Sequence, residues 1–387
     1  MKILILPSWY LPGRAYFIQE QALFIQEQGI EVDVLANVSL SVTFDQMKYL
    51  TSSWKSFSQM ERGLLTYRCF TRQLPKSEKF NIEYWVKKTL DLFEKYQLEQ
   101  GLPDLIHVHS STWGGLAAAI IKERFGVTYV ITEHRGVFAL QSEFSIRQFP
   151  AWKDPYYQKT FENADFIIPV SDQLMRKISI YSGEKVPWKA VPNIVDTDFF
   201  HYKERDPNKP FHFICANGFY KVKGYDILLK AFDRFCEKHP DVKLSIAGEY
   251  FDSPKFQKIL SDCLNRDKIV FTGELSREEV RELMHSADAF LLSSRVESQS
   301  IATVEALSTG LPVVCTDVVP EFVVPSFCGY RVPNEDPEAF AGAMLRMVKN
   351  IESFDRKRLS QHARNIAHKE VIVRQLIEIY NQVLNSQ

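Results

Sequence analysis

The stretch from Asp288 to Asp317 reads DAFLLSSRVESQSIATVEALSTGLPVVCTD, and its reading decides the fold. DAFLLSS (288–294) is a short apolar run of the kind that forms a strand buried on both faces. From Ser300 onward, Ile301, Val304 and Leu307 recur at helical spacing, with Ser300 at the N-cap position, Gly310 at the stop and Pro312 beyond it. LPVVCTD (311–317) is a second buried run. Strand, helix and strand in immediate succession make a βαβ unit, and a βαβ unit requires a parallel sheet.

The same rhythm extends in both directions. FHFICA (211–216), VKLSIAG (242–248), IVFTG (269–273) and YRV (330–332) join DAFLLSS and LPVVCTD in the second half. KILIL (2–6), EVDVLA (31–36), LIHVH (105–109), TYVIT (128–132), DFIIPV (165–170) and KAV (189–191) form a set in the first. The expected architecture is α/β, with two Rossmann-like, doubly wound parallel sheets. VPNIVDTDFFHYKERDPNKP (191–210), with prolines at 192, 207 and 210, reads as the linker. The expected domains are 1–194 and 205–367, joined by a hinge at 195–204, with a C-terminal helix near 370–387 returning to the first. Ligands of open α/β sheets bind beyond the carboxyl ends of the strands, so two such domains are expected to face across a cleft.

Composition narrows the class. A chain of 387 residues with 45% hydrophobic and 25% charged residues can bury two cores and is neither disordered nor fibrous. Its formal charge of −1 gives no general attraction to nucleic acid, so an anionic ligand must be held by local groups. No apolar run approaches the roughly 18 residues of a membrane span, and the opening MKILIL reads as a buried strand rather than a leader. Cysteines 69, 215, 236, 263, 315 and 328 show no CxxC spacing and read as reduced core thiols, which implies a cytoplasmic protein. A long insert, 41–100, carries Trp54, Phe57, Tyr67, Phe70, Phe80, Tyr84, Trp85, Phe93 and Tyr96. Within 54–88 stand eight Lys or Arg against three Glu. This surface (54–96) could rest on anionic lipid at the cytoplasmic face of the inner membrane, or the aromatics are core and the cations a solvated face.

The chemistry gathers where the helix after DAFLLSS begins. Its first amides, at Ile301 and Ala302, and the positive end of its dipole suit a diphosphate, with Ser300 at the entrance and Glu297 and Glu305 flanking it. In ANGFYKVKGYDILLKAF (216–232), Lys223 and Gly224 lead into another helix, and the ammonium would meet the same anion. Read singly, each feature is also an ordinary helix start or a solvated lysine beside a turn glycine. Their order is what gives them weight.

Taken together, the second half resembles the retaining glycosyltransferases of family GT4, which have the GT-B fold. The resemblance rests on Lys223-Gly224, AGE (247–249), FTG (271–273), Ala287-Asp288 and the E-x7-E of Glu297 and Glu305 followed by EALSTGLPVV. In the first half SWY (8–10), FIQEQA (17–22), HVH (107–109), TEH (132–134), VSDQL (170–174) and PNIVDTDFF (192–200) are similar to the family's motifs.

The resemblance implies transfer of a sugar from a nucleotide-diphosphate sugar, by family frequency a UDP-sugar, to a hydroxyl of a glycan or lipid-linked acceptor, in cell-surface polysaccharide synthesis. Lys223 would bind the diphosphate, Glu297 the donor sugar and Glu305 the ribose, while the main chain near Leu275 would border the base. His134 would stand by the anomeric centre and His109 on the acceptor side. No cofactor is implied, and no metal. Asp196-Thr-Asp198 matches the metal-binding DxD of the other major glycosyltransferase fold but falls in the linker. Where the family commonly has an arginine, this chain has Gly218, and Gly13 stands short of the family's usual loop glycine. Lys221 or Arg14 would then take the arginine's part. A sugar-nucleotide epimerase and a non-catalytic nucleotide-sugar-binding subunit share the architecture, and the E-x7-E with its flanking residues argues for transfer.

Overall fold

The computed structural model describes residues 1–11, 16–41, 56–139, 150–204 and 210–386, so Gly13, Arg14 and Trp54 lie outside the described residues. The chain divides into two compact units, one of 1–138, 148–194 and 372–387, the other of 139–147 and 195–371.

In the first unit the described strands are β1 (Lys2–Pro7), β2 (Glu31–Ser41), β3 (Phe57–Glu61), β4 (Leu64–Gln73), β5 (Leu105–His109), β6 (Tyr129–Glu133) and β7 (Phe166–Pro169). They lie in the order β3-β4-β2-β1-β5-β6-β7, parallel throughout except for β3, which runs antiparallel to β4. The helices are α1 (Tyr16–Gln26), α2 (Glu78–Gln100), α3 (Leu116–Phe125), α4 (Asp154–Glu162) and α5 (Met175–Ser182). The apolar runs of β1 and β5 are buried along almost their whole length, as strands covered on both faces must be.

The second unit holds β8 (Phe211–Ala216), α6 (Tyr225–Lys238), β9 (Val242–Ala247), α7 (Pro254–Ser261), β10 (Ile269–Gly273), α8 (Arg277–His285) and β11 (Ala289–Leu292). It continues with α9 (Ile301–Ser308), β12 (Val313–Thr316), β13 (Gly329–Val332), α10 (Pro337–Lys349) and α11 (Arg356–Ala367). Its sheet, β10-β9-β8-β11-β12-β13, is wholly parallel. The six cysteines are buried free thiols.

Two sequence expectations need correction. The insert carries a hairpin that the reading missed: β3 and β4 are joined by Arg62 and Gly63, both at positive φ, which is the two-residue turn that matches strand twist. Arg68 on β4 grips Glu61 through two nitrogens, at 2.9 and 2.6 Å. Half of the insert's eight described aromatics are core: Tyr67, Trp85, Phe93 and Tyr96 are buried, Phe57, Phe70 and Tyr84 are half-buried, and Phe80 is exposed and stacks on Tyr84. KAV (189–191) is not a strand. It lies along β7 through Lys189 and Val191 amides, but Pro187 and Pro192 withhold the amides a ladder needs.

The last helix, α12 (Lys369–Asn385), buries Ile372, Leu376, Ile379 and Tyr380 in the first unit's core. Tyr380 places its hydroxyl 2.6 Å from Nδ1 of His107, a ring with no solvent exposure. Tyr380→Phe leaves that nitrogen buried without its partner and is expected to lower stability by about 1–3 kcal/mol. Urea unfolding followed by tryptophan fluorescence measures it.

Candidate functional site

In the second unit the loops at the carboxyl ends of β8 and β11 are fastened to each other. Lys221–Lys223 forms a single 3₁₀ turn, and Gly224 follows at φ +65°. A Cβ on Gly224 would come within 2.1 Å of the Ser293 carbonyl, so only glycine lets the two loops touch. Ser293 Oγ donates to the Lys223 carbonyl at 2.9 Å, and the Arg295 amide donates to the Val222 carbonyl at 2.7 Å.

Arg295, 7% exposed, does the rest of the fastening. Its guanidinium donates to both oxygens of Asp226 (2.8 and 2.7 Å), both of Glu335 (2.5 and 3.0 Å) and the Lys221 carbonyl (3.0 Å). The bond to Asp226 is the largest of the influences that raise the arginine's pKa. Burial pushes the Asp226 carboxyl up, but the arginine outweighs it and holds the group below its usual range.

This scaffold brings Lys223 and Glu297 together. Lys223 Nζ stands 2.7 Å from Glu297 Oε1, which also accepts from Ser294 Oγ at 2.7 Å. Glu297 is 7% exposed. Next comes α9, buried along its length except for a strip of Ile301, Ala302 and Glu305, which remain half-buried. The amides of Ile301 and Ala302, in the helix's first turn, have no intrahelical partner. Ser300 does precede the helix, but in a left-handed conformation (φ 73°), and its hydroxyl meets Thr303 Oγ1 at 2.8 Å instead of capping an amide. A non-glycine residue held there marks strain of the kind found at ligand sites. Leu275 is half-buried in the turn after β10, between Gly273 and the capping box of Ser276 and Glu279.

Gly218 lies close against its neighbours. A Cβ there would lie 3.0 Å from the Tyr220 ring and 3.1 Å from Glu249, and Tyr220 donates its hydroxyl to Glu249 at 2.7 Å. A side chain at 218 would require that pair to shift by a few tenths of an ångström. Lys221 is exposed and gives its carbonyl to Arg295.

The first unit places its histidines at the carboxyl ends of β5 and β6. His107 and His109 stack with ring centroids 4.4 Å apart, and His107 Nε2 meets Thr132 Oγ1 at 2.7 Å. His109 Nδ1 lies 3.0 Å from His134 Nε2, and His134 Nδ1 lies 2.7 Å from Asn193 Oδ1. Glu133, fully buried, accepts from the amides of Ser111, His134 and Arg135 and from the hydroxyls of Ser110 and Ser111, so it ties the ends of β5 and β6 together. The loop it anchors is strained, with Ser110 and Trp113 at positive φ.

Arg295, Asp226, Glu335, Glu133 and Asn193 escaped the sequence reading. The available signals were an arginine inside SSRVES and the glutamate of TEH, neither of which was given a role. The DxD pair is structural: Asp196 caps the Phe199 amide at 2.9 Å and Asp198 pairs with Arg364 at 2.6 Å.

Two α/β units, one built on a wholly parallel sheet and the other on a sheet parallel except for β3, have the architecture of the GT-B class of fold. The comparisons agree. The model "Glycosyl transferases group 1" matches residues 196–366, and "Glycosyltransferase Family 4" matches 13–199. A Bacillus subtilis protein described as "Putative teichuronic acid biosynthesis glycosyltransferase TuaC" is 26% identical over 82% of this chain and 81% of its own. Sucrose-phosphate synthase from Thermosynechococcus elongatus superposes with a TM-score of 0.82 at 17% identity, over the whole of both chains. The Anabaena protein HepE, solved with UDP and glucose, superposes at 0.72 with 16% identity, over 99% of this chain and all of its own. The chain belongs to the GT4-type group 1 glycosyltransferases, and it is a glycosyltransferase.

Burial holds all three first-unit histidines neutral: His107 is pushed down to about 3, His134 to about 4 and His109 well below its ordinary value. Unfolded, each would bind a proton near pH 6.5. Below that pH the unfolded chain takes up protons that the native stack refuses. Stability is therefore expected to fall as pH drops from 6.5 toward about 4, by about 1.4 kcal/mol per pH unit for each ring. Urea midpoints measured across that window check it, with His107→Asn reducing the slope.

Proposed function

We propose that the protein transfers a sugar from a UDP-sugar to a hydroxyl of a glycan or lipid-linked acceptor, with retention at the anomeric carbon, in the synthesis of a surface polysaccharide. The observation that carries this reading is the junction of Lys223 and Glu297 beside the half-buried strip of Ile301, Ala302 and Glu305. An ammonium and two helix amides offer positive charge to a leaving diphosphate, and they do so without requiring a metal. Glu297, an acceptor when ionised, suits sugar hydroxyls, as Glu305 suits those of a ribose. Leu275 would border the base.

The UDP and glucose of the HepE structure support the donor, and the role named for the Bacillus relative supports the polysaccharide setting. On the family resemblance, His134 is the first unit's contribution beside the anomeric carbon and His109 serves the acceptor. In a front-side displacement the leaving phosphate helps deprotonate the acceptor, so no carboxylate is needed as a covalent nucleophile.

A cytoplasmic site, with contact at the inner face of the membrane, belongs to the same proposal. Among the described residues no helix is long and apolar enough to cross a membrane. The exposed Phe80, stacked on Tyr84, supports peripheral contact, as do the neighbouring Lys76, Lys79 and Lys87 on and just before α2. Beside them, Phe70, Arg72, Tyr84 and Lys88 line a cavity of about 430 Å³, room enough for a sugar.

Lys223→Ala and Glu297→Ala are each expected to lower transfer from a labelled UDP-sugar by about 10²- to 10³-fold, with the protein still folded in urea titration. Full activity in either variant would remove the proposed site. Thermal-shift measurements with UDP-, GDP- and dTDP-sugars identify the base, since the fitting donor raises the melting temperature.

A further inference from the structure

Four side chains of the first unit form a hydrogen-bonded chain with one direction. Gln21 Nε2, on α1, lies 3.5 Å from His109 Nε2; His109 Nδ1 lies 3.0 Å from His134 Nε2; His134 Nδ1 lies 2.7 Å from Asn193 Oδ1. An amide oxygen can only accept, so His134 carries its proton on Nδ1 and presents a lone pair at Nε2. His109 must then donate from Nδ1 and accept from the Gln21 carboxamide at Nε2. One proton per ring satisfies every link. A second proton on His134 would set two N–H groups against each other, and moving the conflict along the chain ends it against the Gln21 amine. Carboxamides close both ends, and they hold a direction without releasing or taking up protons near neutral pH. The chain orients its rings and is not a proton relay.

We propose that Asn193 is a positioning residue whose carboxamide oxygen fixes His134 as the neutral Nδ1–H tautomer, leaving the ring's carbon edge and face to meet a ligand. The purpose rests on the reading that His134 stands beside the anomeric carbon. There the transition state of glycosyl transfer gathers positive charge, and an imidazolium would oppose it while a neutral ring does not.

The surroundings agree with this role. The nearest carboxylate, Glu133, is already engaged by the amides of Ser111, His134 and Arg135 and by two serine hydroxyls. The Arg135 guanidinium lies over the Phe138 ring, 5.8 Å from its centre. From β5 come His107 and His109, and from α1 the uncharged Gln21. Trp9 and Phe17 stand beside the His134 ring at steep interplanar angles of 67° and 65°, with centroids 6.3 and 5.1 Å away.

Nitrogen-15 spectra of the histidine rings in the full-length protein read the tautomer without any substrate. At pH 7 the expected result is His134 protonated at Nδ1 and bare at Nε2, and a proton on Nε2 overturns the proposal. Asn193→Asp sets a carboxylate against Nδ1 and is expected to raise the ring's pKa by about 1–3 units. Transfer by that variant should begin to fall at a pH about 1–3 units higher than in the unaltered protein, by about tenfold per pH unit once below the raised pKa of the ring, with donor-induced thermal stabilisation retained. Asn193→Ala should lower the rate with the unaltered protein's pH profile. An Asn193→Asp profile that matches the unaltered protein overturns the positioning role. Absence of transfer in the unaltered protein would instead defeat the glycosyl-transfer reading, while the spectra still judge the tautomer.

Discussion

A single guanidinium holds the second unit's site together. Arg295 joins the loop after β11 to the turn before α6 through Asp226 and the Lys221 carbonyl, and to Glu335 beyond β13. Such an arrangement suits arginine, since its planar fork can engage two carboxylates at once while a lysine offers only a point charge. Removing the charge would leave two carboxylates facing each other with nothing between them. The placement of Lys223 and Glu297 follows from this, since the first leaves the turn that Arg295 holds and the second lies two residues beyond the arginine itself. Gly224 makes the same junction possible from the steric side, for any side chain there would drive the loops apart.

The first unit solves a similar problem with little charge. Glu133 ties the ends of β5 and β6 as a buried acceptor with donors on both oxygens, and the histidines around it are held as neutral rings by burial and by each other. Each motif of the sequence thus divides its labour. In TEH, Thr132 engages His107, Glu133 anchors the loops and His134 meets His109 and Asn193. In HVH, His107 is tied to Tyr380 on α12 and to β6, while His109 meets His134 and Gln21. A buried neutral network tolerates no change in its proton count, which makes the same rings a source of orientation at neutral pH and of instability in acid.

What the sequence made legible follows the same physics. Parallel strands buried on both faces leave continuous apolar runs, so β1, β5, β8, β11 and β12 could be located almost to the residue. The hairpin of β3 and β4 was hidden because its strands mix arginines and threonines with aromatics, and its turn, Arg62-Gly63, lacks the Asn-Gly or Asp-Gly that signals such a turn most strongly. Helical spacing placed Lys223 and Glu297 at the ends of adjacent strands, and their contact is a consequence of that topology. Arg295 and Asn193 were illegible for a different reason. Their partners, Asp226 and His134, lie 69 and 59 positions away, and nothing local distinguishes a fastening residue from a solvated one.

Gly218 shows how such distant partners constrain a familiar motif. A side chain there would press on the Tyr220 ring and on Glu249, which are hydrogen-bonded to each other, so this position carries no cation and its neighbours are a phenol and a carboxylate. At the proposed diphosphate site, positive charge would fall chiefly to Lys223 and the first amides of α9. Lys223 is itself in contact with Glu297, which offsets part of its charge and fixes where it points. With a whole-chain charge of only −1, no broad field adds attraction. On the proposed reading, the binding energy of such a site would come from short-range geometry: an ammonium held in place, amides aligned along a helix axis, and a carboxylate that could exchange its lysine contact for a sugar hydroxyl. A site built this way discriminates by fit more than by charge, and its selectivity should survive salt better than that of a cluster of exposed cations.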